Sequence, residues 1–212
     1  MTSLVCAPDP ARTSASSSAL TAALERCGDG CTHELVEQLE AADATLVTHG
    51  AGVAQIAVGL GRRLGIAGER LVTLCRAALL HDIGKRYVPR EVLSKPGPLL
   101  THERQLVEAH PAVGASRLLQ AGLRSEAAVV RHHHERWDGT GYPDRLQGDA
   151  IPLESRIILV ADTFDAMTSD RPYRGAIPRA VALAEIEHVA GSQLDPYAAA
   201  LVRGVIESIT AA

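Results

Sequence analysis

From about Ser18 to Thr48 apolar residues recur at helical intervals, with Leu35, Leu39 and Ala42 at three- and four-residue steps, and predict a lead-in helix or helical pair. The next stretch sets His49, Val53, Ile56, Leu60 and Leu64 on one stripe, so His49 faces inward with the apolar side chains. The run Leu71 to Gly84, containing RAALLHDIGK, predicts a helix that carries His81 and Asp82 to its interior end before Gly84 stops it. Thr101 is placed as an N-cap with Glu103 set favourably against the helix dipole, and Pro111 ends that helix at His110. A helix capped by Ser125 follows. In it the i, i+4 pairs Val129/His133 and Val130/His134 continue apolar stripes inward, while His132 is rotated away. From Pro152 the segment LESRIILVADTFDAMTS is helical, with Asp162 one turn after Ile158 and Asp165 one turn further on. A final pair of helices ends in one with Asp195 as N-cap and Pro196 at its first position.

The chain has 212 residues and is 46% hydrophobic, enough for one domain with an extension. Aromatic residues make up only 3% while Ala, Leu, Val and Ile dominate, which favours helix-on-helix packing and an all-α helical bundle. Residues 1–17, rich in Pro, Ser and Thr without periodicity, are expected to be disordered, residues 18–42 to form the lead-in, and residues 43–212 to form the domain that carries the chemistry. A net charge of -4 and a pI near 6.1 lack the basic footprint of a protein that binds polymeric nucleic acid. No apolar stretch is expected to reach the roughly 18 residues of a membrane span, and the N-terminus lacks a charged-then-apolar signal pattern, so a cytoplasmic location is expected. Cys6, Cys27, Cys31 and Cys75 fit neither zinc spacing nor a disulfide framework, and no role is assigned to them.

Chemistry concentrates in residues 132 to 143, His-His-His-Glu-Arg-Trp-Asp-Gly-Thr-Gly-Tyr-Pro, and in His81-Asp82 upstream. Consecutive imidazoles, a His-Asp pair and a glycine-shaped loop are what a multi-metal phosphoesterase site needs. A buried Asp162 also calls for a cation, because an unpaired buried carboxylate costs several kcal/mol. For Asp165 a solvated or capping role and an indirect supporting role stand level. Singly, each histidine has an ordinary explanation as a hydrogen-bonded core residue; their joint order is far more specific.

The order His49, His81-Asp82-Ile83-Gly84-Lys85, His110-Pro111, HHHERWDGTGYP, Val160-Ala161-Asp162 and Asp170-Arg171-Pro172-Tyr173-Arg174 resembles the HD-GYP domain, a branch of the HD phosphohydrolase superfamily, over residues 43 to 208. The resemblance implies a helical bundle that hydrolyses cyclic di-GMP, through a hydroxide bridging two transition-metal ions, iron or manganese, to pGpG and then GMP. It implies His49, His81, Asp82, His110, His133, His134 and Asp162 as ligands, with Asp82 bridging, and Lys85 beside the nucleophile and a phosphate oxygen. It also implies Tyr142, Arg171 and Arg174 as contacts to the dinucleotide phosphates. Beside these, Asp165 and Glu135 are candidates for supporting the ligands. Family members with three metals carry Glu four residues before the first ligand histidine; Thr45 stands there, and two metals are expected. Metal ligands say nothing about bases, so cyclic GMP-AMP or another cyclic dinucleotide is an alternative substrate. A weakly active scaffold engaging a diguanylate cyclase is an alternative of another class, and a diguanylate cyclase domain or a second copy in a homodimer are the protein partners considered.

Overall fold

A computed structural model describes residue 21, residues 23–25, residue 27, residues 29–170 and residues 175–211. Its ten helices of α type over residues 30–210 are α1 (Gly30–Ala42), α2 (Ala44–Arg63), α3 (Gly68–Leu80), α4 (Arg90–Leu93), α5 (Thr101–Glu108), α6 (His110–Gln120), α7 (Arg124–Arg131), α8 (Leu153–Thr168), α9 (Arg179–His188) and α10 (Pro196–Thr210). Two short 3₁₀ turns cover Ile83–Tyr87 and Gly148–Ala150. The described residues contain no strand, only a single bridge between Ala190 and Leu194. The all-α reading therefore holds.

Small aliphatic residues set the architecture. α2 runs through the middle and buries Ala51, Val53, Ala54, Ile56, Ala57 and Leu60, packing against α1, α3, α8 and α10. Where it packs on α3, Gly50 lies against the Leu79 backbone, leaving no room for a Cβ. α6 and α7 form a second pair laid on α3 and on the first 3₁₀ turn. α2 is also long and apolar enough to cross a membrane by length and composition, contrary to the expectation of no such stretch; 56% of its most apolar 18 residues is buried inside the fold. The lead-in α1 is packed in rather than appended: Leu35, Val36 and Leu39 are buried, and Arg76 of α3 donates to the Cys27 carbonyl at 2.7 Å and pairs with Asp29 at 3.0 Å. The expectation of disorder for residues 1–17 lies outside the described residues.

Four helix ends differ from the sequence reading. α3 stops at Leu80, with His81 as C-cap, and Gly84 lies in the following 3₁₀ turn. Gly84 is needed for close approach rather than for stopping a helix, since a Cβ there would run into the His110 carbonyl. α7 stops at Arg131, so His133 and His134 lie beyond it and the i, i+4 pairing does not orient them. Ser125 is inside that helix rather than its cap. Thr101 likewise opens α5 instead of capping it; the Leu100 amide donates to Glu103 Oε2 at 2.7 Å. Pro152 and Asp195 stand at helix starts as expected, Asp195 accepting from the amides of Tyr197 and Ala198.

Candidate metal centre

One local device recurs three times. The last carbonyls of a helix have no intrahelical donor. His81, just past α3, places its Nδ1 2.8 Å from the Ala78 carbonyl. His110, just past α5, does the same to Val107 at 2.7 Å, and His133, just past α7, to Val130 at 2.6 Å. A carbonyl can only accept, so each Nδ1 carries the proton and each Nε2 offers a lone pair. Backbone geometry thus sets both tautomer and aim.

The donors fall into two groups, His49 with His81 and Asp82, and His110 with His133 and His134, each having ligand atoms within 4.8 Å of one another. Asp82 stands between them: its Oδ1 lies 3.3 Å from His110 Nε2, and its Oδ2 lies 3.5 Å from His81 Nε2 and 3.9 Å from His49 Nε2. Lys85 Nζ donates to Asp82 Oδ2 at 2.7 Å. From α8, Asp162 Oδ1 reaches His49 Nε2 at 3.0 Å, and Asp165 Oδ2 accepts from His49 Nδ1 at 2.7 Å. Gly52 leaves the room this needs, because a Cβ there would lie 2.5 Å from Asp165 Oδ1.

The residues fit a cation. His81 Nε2 and Asp82 Oδ1 are buried with no aligned hydrogen-bond partner among the described residues, a cost of about 1–3 kcal/mol each. His110 Nε2 and His133 Nε2 face each other at 3.2 Å, and with both Nδ1 protonated this sets lone pair against lone pair unless a positive charge lies between. Imidazole nitrogens mixed with carboxylate oxygens suit divalent first-row metals.

Electrostatics agree with that reading. Burial holds His134 neutral, its pKa lowered to about 3. Burial, and then the neighbouring His134, push His133 down, and burial also lowers His81. Burial would keep Asp82 protonated, but Lys85, His81 and His110 outweigh it and hold the carboxyl well below the usual range. Burial likewise opposes ionisation of Asp162, and the His49 hydrogen bond overcomes it. His49 goes the other way: burial disfavours its charged form, yet hydrogen bonds to Asp162 and Asp165 raise its pKa to about 10. Without a metal, the two carboxylates make His49 the cation they lack.

The glycine-rich loop closes one side. Buried Glu135 accepts from the amides of Asp144 (2.7 Å) and Leu146 (3.1 Å), so its carboxylate braces the loop. The Trp137 and Asp138 amides donate to the carbonyls of Gln193 and Ser192. Trp137 carries Arg156 over its ring at 5.4 Å, and Tyr142 lies over His134 with ring centroids 4.9 Å apart. His132 points outward, its Nε2 3.0 Å from Asp144, which Arg131 also grips. Thr45 is exposed, and its hydroxyl and amide donate to Asp43 in the first turn of α2. Arg171 and Arg174 lie outside the described residues. The contact of Asp165 with His49 had one legible signal in the sequence, the one-turn spacing from Asp162 to Asp165; the contacts of Glu135 with the loop amides had none.

A family model described as HD domain matches residues 33–197. The chain is 42% identical over 153 residues to the cyclic di-GMP phosphodiesterase response regulator RpfG of Xanthomonas campestris, covering 68% of this chain and 39% of the relative. It is 44% identical over 138 residues to the 3′3′-cGAMP-specific phosphodiesterase 3 of Vibrio cholerae, covering 65% of this chain and 30% of the relative. The chain therefore spans well under half the length of either. Among solved structures, Bd1817, an HDG"Y"P protein from Bdellovibrio bacteriovorus, is similar with a TM-score of 0.66 over 92% of this chain and 63% of that one, at 18% identity, a likeness of fold.

Proposed function

The chain belongs to the HD domain family, in its HD-GYP branch, and from that premise we propose that it is a metal-dependent phosphodiesterase acting on cyclic di-GMP in bacterial second-messenger signalling. The observation that carries the proposal is the convergence of six donors in two groups joined through Asp82, with Asp162 closing on His49. Two groups, with Thr45 engaged at Asp43, support two transition-metal ions, iron or manganese, which His49, His81, Asp82 and Asp162 on one side and His110, His133 and His134 on the other would hold, with the Asp82 carboxylate lying between the groups. When bound, such ions lower the pKa of water from 15.7 toward about 7 and offset the negative charge of the diester.

The chain's own groups supply the rest. Water adds across one phosphorus–oxygen bond and opens the ring to pGpG, and a second addition gives GMP. Lys85, whose ammonium already rests on Asp82, is placed to face a phosphate oxygen as charge builds there. Asp165 keeps the His49 ring turned so that Nε2 faces Asp162. Glu135 keeps the Tyr142 loop against His134, and Tyr142 with Arg171 and Arg174 completes the grip on the phosphates. The location we propose is cytoplasmic, where such a nucleotide would be met.

A second reading, hydrolysis of cyclic GMP-AMP by the same centre, is favoured by the equally similar Vibrio cholerae relative. Purification with manganese or iron, metal analysis and product analysis on cyclic di-GMP and cyclic GMP-AMP tests both. Two metals per chain with conversion to pGpG is the expected result; metal-loaded protein that cleaves neither substrate would overturn it and leave the scaffold alternative.

A further inference from the structure

A cavity of about 720 Å³ opens beside the cluster, between the end of α5 and the glycine-rich loop. It meets the metal centre at two points. Ala109 in its wall precedes His110, and Tyr142 in its wall lies over His134 at 4.9 Å. The volume falls within the range of about 300–1,000 Å³ typical of small-ligand pockets, and the site is reached from the cluster over a distance spanned by one tyrosine.

Its lining has the character of a base-recognition site. Tyr142 offers an aromatic ring, and Gln105 and Glu108 stand three residues apart on one face of α5. The Glu108 carboxylate is 39% exposed and loosely paired with Arg104 at 3.9 Å, a weak surface contact. Arg145, also in the wall, extends from a left-handed backbone position (φ 56°) and makes no ion pair among the described residues. A carboxylate, a carboxamide, an aromatic ring and a guanidinium thus share one wall beside a phosphate-directed centre.

We propose that this cavity is the purine subsite for the nucleotide whose phosphate lies on the metal centre, and that Glu108 makes it select guanine, a placement that rests on the phosphodiesterase reading above. Guanine presents N1–H and its 2-amino group as adjacent donors, which one carboxylate accepts together. Its O6 accepts from the Gln105 amide. Adenine presents a lone pair at N1, which the same carboxylate repels, and an amino group where Gln105 needs an acceptor. Arg145 is the cation available to the second phosphate of the ring.

The test uses manganese-loaded protein and two readouts in the parent, Glu108→Gln, Glu108→Ala and Gln105→Ala. Calorimetric titration with GMP and AMP is expected to show GMP bound about tenfold more tightly by the parent, with that preference lost in both Glu108 variants and weakened in Gln105→Ala. Steady-state kinetics are expected to show kcat/KM for cyclic di-GMP, divided by that for the base-free bis(p-nitrophenyl) phosphate, falling about tenfold or more in Glu108→Ala, mainly through KM. A merely structural role for Glu108 would lower both substrates together. Equal affinity for GMP and AMP in the parent, or variants that keep the preference, would overturn the subsite. A parent that binds GMP selectively yet cleaves no cyclic dinucleotide would overturn the phosphodiesterase reading and leave the subsite standing.

Discussion

The histidines of the candidate metal centre fall into two halves that are oriented by different means and that do not coincide with the two donor groups, since His81 is held like His110 and His133 but lies with His49. His81, His110 and His133 sit just past helix ends and are held by carbonyls three residues back. His49 sits inside α2 and is held by two carboxylates of α8. A carbonyl is present whatever the side chains are, so the first half follows from where the helices stop. The second depends on two particular residues and on the register between α2 and α8, which makes it the half that a single substitution can retune.

The largest effect is expected in the backbone-held half. His110→Ala or His133→Ala should strip metal from the group formed by His110, His133 and His134 and abolish hydrolysis, read by metal analysis and pGpG formation. Full metal content in either variant would mean that the other donors suffice and that the helix-end device is ornamental.

Next comes Asp165→Asn, which keeps the shape of the contact to His49 and removes its charge. Metal affinity should fall about 10- to 100-fold, as is typical when a residue supporting a ligand is lost. Unchanged affinity in a manganese titration would show that α2 packing alone positions His49 and erase the contrast between the halves.

Metal-free protein should reveal the carboxylate-held half through pH. The folded pKa of His49, about 10, lies above its ordinary 6.5, so its stabilisation is full below pH 6.5 and is lost as pH rises toward 10. His134, lowered from 6.5 to about 3, works in the opposite direction and removes stability as pH falls between those values. Melting temperature with chelator should therefore decline on both sides of neutrality. With manganese bound, His49 must be neutral, and the alkaline decline should flatten; parallel curves with and without metal would contradict this.

The smallest effect is expected for His132→Ala. Its imidazole belongs to an outward contact with Asp144 and Arg131, so metal content should be unchanged, activity within about twofold, and stability within about 0.5 kcal/mol. Metal loss equal to that of His133→Ala would mean that the loop turns the other way in solution.

Much of this centre was legible beforehand, though sometimes for the wrong reason. His133 and His134 face inward and His132 outward as the i, i+4 reading had it, yet α7 has already ended at Arg131 and the turn does the aiming. Gly84 was read as a helix stop and is instead the point where the 3₁₀ turn passes the start of α6. Ser125 looked like a cap and is helix interior. Such boundaries were illegible because they depend on which segment presses from outside.

The sequence by itself determined an all-α fold and a short set of imidazoles and carboxylates able to bind metal, because helical periodicity and donor chemistry are local properties. Tertiary structure alone decided that these donors divide into two groups sharing Asp82, that Asp165 turns His49, that Glu135 braces the loop, and that Glu108 faces a cavity beside Tyr142. Apart from Glu135, whose partners lie in its own loop, those pairings join residues on separate elements, and their distances exist only once the helices have packed.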